Sequence, residues 1–127
     1  MEEAVQLLAV VNFTVIGLSH ILQPSAWVQF FAVLRDRGEA GVFAVAFLSL
    51  IFGSIIVAFH NVWSGIPMVL TIVGWLQVLK ALIYFLFPAF GLRKLHIPSH
   101  ERPQLLVYPG IGFLVLAGLL GYHLLTA

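Results

Sequence analysis

The chain has 127 residues, of which 61% are hydrophobic and 9% charged, with a formal net charge of +1 and no cysteine. Soluble domains carry about 25% charged residues, and a soluble fold this small could not bury so much apolar surface, so the composition points to lipid as the solvent. It excludes a basic nucleic-acid surface, disulfides, thiolate metal sites and cysteine nucleophiles.

Four stretches satisfy the need for about 20 apolar residues to cross about 30 Å of hydrocarbon. The first covers residues 4–22 and stops at Pro24. The opening Met1-Glu2-Glu3-Ala4 has neither the basic start nor the small-residue cleavage site of a signal peptide, so this stretch is expected to remain a membrane helix. In residues 25–37, Trp27, Phe30, Phe31 and Leu34 recur at three- to four-residue spacing, and Arg35, Asp36 and Arg37 end the run. This predicts a short amphipathic helix lying in the interface, its aromatic face toward lipid or bundle, with Ser25 as N-cap. The second span is predicted at 41–60. The third is predicted at 67–87, opening on Pro67 and closing before Pro88. Residues 93–104, with Pro98 and Pro103, read as a polar loop. The fourth span is predicted at 105–125, with Pro109 either starting or kinking it. The chain shows no internal sequence repeat.

The fold class expected is therefore an all-α membrane protein: a four-transmembrane-helix bundle, one domain over 1–127, with a cytoplasmic interfacial helix between spans one and two. Orientation follows from positive charge. The connections before spans two and four carry Arg35, Arg37, Arg93, Lys94 and Arg102, whereas the opposite side has no Lys or Arg. Both basic connections are expected in the cytoplasm, with both termini outside. His20, His96 and His100 then fall on the cytoplasmic side, and His60 and His123 fall outside near Glu2 and Glu3.

Lys80 is the most conspicuous polar residue. It lies about 13 residues, or roughly 20 Å, into span three, and no Asp or Glu lies inside any span. An ionisable residue at such depth suggests a functional site. Gln77 and Tyr84, at i−3 and i+4, share its face. Three placements are open: snorkelling to the cytoplasmic phosphates, lining a polar cavity, or pairing with Asp36 or Glu39. Asn12 and Ser19 share a face of span one, and Ser49, Gly53 and His60 a face of span two. These stripes either converge on a polar seam or serve interhelical hydrogen bonding. Ala117 and Gly121, with Gly110, Gly112 and Gly118 nearby, mark span four as a packing face, within one chain or between copies.

At the outer turn, His60, Asn61 and Trp63 are expected to cap a helix and anchor at the interface. His60, His123 and Glu2 are candidate ligands for a divalent metal, but no ligand-spacing motif joins them, and no histidines stack at matching depths for haem. No cofactor is predicted. The chain carries no nucleophile motif, carboxylate pair, phosphate loop or H-E-x-x-H, so nothing asks for an enzyme.

The Phe-His-Asn-x-Trp turn at residues 59–63, the Gly74-Trp75…Leu79-Lys80 stretch and the Pro-x-x-Trp start at Pro24 resemble a family of small uncharacterised bacterial inner-membrane proteins with four spans. The resemblance covers residues 12–88. It implies a bacterial inner-membrane location and carries no activity or residue roles. The functional expectation is an oligomeric transporter or channel passing a small polar or anionic solute near Lys80. The alternative is a structural or accessory subunit of a larger membrane complex. A membrane enzyme or a metal or haem binder comes last.

Overall fold

The computed structural model describes residues 1–96 and 102–126, and every regular element among them is helical. In chain order they are α1 (Glu2–Leu22), α2 (Pro24–Asp36), α3 (Glu39–Phe59), α4 (Met68–Leu86), α5 (Pro88–Leu95), a 3-10 turn (Pro103–Leu106) and α6 (Val107–Thr126). α1, α3, α4 and the 103–126 segment are long and apolar enough to cross a membrane. The chain itself buries only 22–33% of the most apolar window of each, so most of their side chains require a hydrocarbon solvent. This is an all-α four-helix membrane bundle.

Proline sets where the spans break. A residue before proline is driven out of the helical region by the ring, while proline itself suits the first turn of the next helix. Gln23 (φ −132, ψ 54) separates α1 from α2, and Phe87 (φ −131, ψ 68) separates α4 from α5 in nearly the same conformation. Ser25, expected as the N-cap of the short helix, lies inside it; Gln23 occupies the cap because Pro24 starts the helix one residue earlier. Pro109 sits in the first turn of α6, where no intrahelical hydrogen bond is lost.

One expectation is corrected at the basic end. Residues 93–104 are not all loop: α5 carries the chain to Leu95, and the 3-10 turn begins at Pro103. α5 holds on because Gly91 faces Val42 of α3 and the Tyr84 ring; a Cβ at Gly91 would come within 2.5 Å of Val42. The part of that connection with Pro98 and His100 lies outside the described residues.

The bundle consists of two tight helix pairs, α1 with α6 and α3 with α4. Each pair crosses at glycines. A Cβ on Gly17 would stand 2.9 Å from the Gly110 carbonyl oxygen, and one on Gly53 would stand 2.9 Å from the Gly74 carbonyl oxygen. Small residues allow this approach, and dispersion over the close surfaces holds helices together in lipid. Phe13 joins the pairs. Its ring stacks on Phe113 of α6 at 5.5 Å and meets Phe52 of α3 edge-on at 5.7 Å, within a core of Val5, Ala9, Ile56, Leu70, Ala117 and Leu120.

The arrangement repeats although the sequence does not. Each half runs span, proline break, short helix, span, and the first span of each half packs on the second span of the other. The termini and the 60–67 connection share one end of the bundle, here called the terminal end. α2, α5 and the basic residues Arg35, Arg37, Arg93, Lys94 and Arg102 share the other, the basic end.

Candidate functional site

His60 follows the last turn of α3, its N–H donating to the Ile56 carbonyl at 2.7 Å. It is fully buried, which corrects its expected role as an interfacial anchor: α1 and the start of α4 enclose the ring. Nδ1 lies 3.1 Å from Thr71 Oγ1, in the early turns of α4. The Thr71 hydroxyl also accepts the Val62 N–H at 3.2 Å and donates to the Val62 carbonyl at 2.8 Å. These two bonds pin the 60–67 connection onto α4.

The proton positions follow from counting donors. A threonine hydroxyl has one hydrogen, and the Val62 carbonyl at 2.8 Å takes it ahead of the His60 carbonyl at 3.4 Å. His60 Nδ1 must therefore be the protonated nitrogen that donates to Thr71, which leaves Nε2 as an acceptor. Gln6 of α1 meets that demand, its Nε2 donating to His60 Nε2 at 3.0 Å. The amide orientation is thereby fixed, and Gln6 Oε1 is the atom left over. It is buried without a partner among the described residues, on a side chain only 3% exposed. Burial holds the His60 pKa below its ordinary 6.5, partly offset by a backbone hydrogen bond and by the Glu2 carboxylate. The neutral ring required by the proton count is thus the favoured form.

Gln6 lines a cleft of about 230 Å³ that opens at the terminal end, with Glu2, Glu3, Ser64 and His123 as its other polar walls. It is smaller than a drug-sized pocket of about 300–1,000 Å³ and has room for a small solute. Below the cleft lie Val5, Ala9, Ile56, Leu70 and Leu120 of the apolar core.

The other residues singled out in the sequence fall elsewhere. Lys80 is half-buried, with Nζ 5.6 Å from the centre of the Tyr84 ring, a cation–π contact within one helix. Gln77 stands on the α3–α4 crossing opposite Gly53, and Ser49 is buried in α3 one turn from Gly53. Asn12 turns back on its own helix, donating to the Leu8 carbonyl at 2.8 Å, and Ser19 accepts the Trp27 indole N–H at 2.9 Å. The structure thus ties Ser19 to α2, while Ser49, Gln77, Lys80 and Tyr84 belong to the α3–α4 pair. Asn61 donates to the Val57 carbonyl at the end of α3, and Trp63 is exposed beside it.

Glu2 and His123 line the cleft, but His60 spends both ring nitrogens on Gln6 and Thr71. Among the described residues no three His, Asp or Glu side chains gather in a group able to hold a metal ion.

Two features escaped the sequence reading. One is the pair Gln6 and Thr71; the signal is a polar residue in the early turns of each of two apolar spans. The other is at the basic end, where the buried His20 ring stacks on Trp27 at 4.0 Å; Trp27 had been assigned only to an amphipathic face. Compared with protein-family models, curated proteins and solved structures, the chain matches none.

Proposed function

We propose that this is a small bacterial inner-membrane protein of the four-span family it resembles, and that it binds a small polar solute in the cleft at its terminal end, facing the periplasm. One observation carries the reading: Gln6 Oε1 is buried, held in orientation by His60, and has no hydrogen-bond partner among the described residues beside that cleft. An acceptor left unmade costs about 1–3 kcal/mol, which a bound donor would recover.

The site serves uptake or sensing from that face. Onward passage requires the α1–α6 and α3–α4 pairs to part, because the core beneath the cleft is apolar. Anion passage along Lys80 draws less support. Lys80 stands nine residues beyond Thr71, about 14 Å along α4 at 1.5 Å per residue, and its head lies over Tyr84.

The test is ligand-induced stabilisation of the purified chain in detergent across a panel of small cationic, neutral and anionic solutes. At least one class should raise the melting temperature of the native chain but not of Gln6→Leu. No response to any class would remove the binding function.

A second reading, assembly with further copies or within a larger membrane complex, draws on α6. A Cβ at Gly112, Gly118 or Gly121 would meet nothing within 4 Å, so the helix offers a neighbour a close approach in lipid. Gly118→Ile should then lower the mass of the detergent-solubilised particle without unfolding the chain. An unchanged mass would count against assembly through α6.

A further inference from the structure

We infer that the cleft selects a small primary ammonium cation, an inference that rests on its being a solute site at all. The acceptor character of the cleft's inner wall follows from the relay behind it. Thr71 spends its hydrogen on Val62, His60 Nδ1 spends its hydrogen on Thr71, and the Gln6 amide nitrogen satisfies His60 Nε2. Each step leaves the next group one role, and the last leaves Gln6 a carbonyl oxygen with no donor among the described residues. A flipped amide would set two acceptors, Gln6 Oε1 and His60 Nε2, against each other while the ring is neutral. The ligand atom that meets Gln6 must therefore be a donor.

Charge narrows the class further. Glu2 and Glu3 stand on the same cleft, and ionised carboxylates are acceptors only. Among the described residues the polar walls carry no Lys or Arg. Ser64 can donate or accept, and so can the His123 ring. The positive end of the α1 dipole opposes a cation here, and two glutamates in that first turn offset it. A primary ammonium supplies three N–H donors on a compact charge, enough to engage Gln6 Oε1 and a carboxylate together. A quaternary ammonium carries the charge without the donors, and a carboxylate ligand would meet like charge.

The same relay couples selectivity to pH. A protonated His60 would donate from both nitrogens, turning the Gln6 oxygen toward the ring and the amide nitrogen toward the cleft. Ammonium binding therefore weakens as His60 gains its proton. Glu2, Glu3 and His123 are the other ionisable groups on the cleft, and the Glu2 carboxylate favours the protonated His60 ring.

The test is isothermal titration of the full chain in detergent with methylammonium, tetramethylammonium, acetamide and acetate. Methylammonium should bind, and tetramethylammonium at least about tenfold more weakly. Gln6→Leu and the double variant Glu2→Gln, Glu3→Gln should each reduce methylammonium affinity roughly tenfold, as expected for loss of a charge-assisted hydrogen bond. The glutamates are exposed, so the double variant keeps the test sound if Gln6→Leu folds poorly. Equal binding of the two cations would overturn the inference, as would Gln6-dependent binding of acetamide or acetate without methylammonium; both leave the solute site standing. Binding by none of the four probes, or binding indifferent to both variants, would remove the site and the inference together.

Discussion

At the Thr71 hydroxyl, one hydrogen and two lone pairs are all in use, on the Val62 carbonyl, the Val62 N–H and His60 Nδ1. Thr71→Val keeps the shape and removes all three. It strands two donors and one acceptor, and one stranded buried group alone costs about 1–3 kcal/mol. The variant should show a clear fall in melting temperature in detergent, and a melting temperature equal to that of the native chain would mean the hydroxyl contributes nothing. His60 adds a pH dependence. Its folded pKa is depressed below 6.5, so between the two values the unfolded chain binds more protons than the folded one. The associated stability is full above about pH 6.5 and is lost as pH falls through the folded value. Melting curves recorded from neutral pH downward should show this decline, and His60→Gln should flatten it. Little of this relay was legible in the chain. Gln6 is one of two amides in its apolar span, and its partner lies 54 positions away; no local pattern joins them.

Among the helices, the glycines divide into those that face a neighbour and those that do not. Gly74→Val places its new Cβ within 2.4 Å of Ile56 and should cost about 1–3 kcal/mol by overpacking. Gly118→Ala meets no neighbouring atom, so it should be neutral or slightly stabilising, by up to about 1 kcal/mol from helix propensity. Thermal unfolding of the two variants side by side checks the division; equal destabilisation would contradict it. The spans and α2 were legible because their signals are long or periodic: some twenty apolar residues in one case, Trp27-Phe30-Phe31-Leu34 spacing in the other. α5 was not. It has eight residues, begins at a proline that also reads as a stop, and owes its place to Gly91 fitting against Val42 and Tyr84. That fit exists only once α3 and α4 have come together.

For the molecule as a whole, the two ends differ in charge: Glu2, Glu3 and His123 on one, five basic residues on the other. The proposed orientation puts the terminal end outside. The chain has no cysteine, so Ser64→Cys and Arg37→Cys each introduce a sole thiol. In intact cells a membrane-impermeant maleimide should label the first and spare the second. The reverse pattern would invert the protein, and with it the side from which the cleft is filled, while leaving the helices as described. Four crossings follow from hydropathy alone. The pairing of the first helix with the last does not, because no composition signal tells α1 to choose α6 over α3.

That pairing bears on biosynthesis. A ribosome delivers α1 well before α6, yet Gly17 faces Gly110 and Leu114 of α6. In the interval α1 must wait in lipid, or beside the insertion machinery, with its glycine face uncovered. The bundle therefore closes only once α6 has been made, and a transcript cut short before α6 would leave an inserted but open bundle, a natural target for membrane proteases.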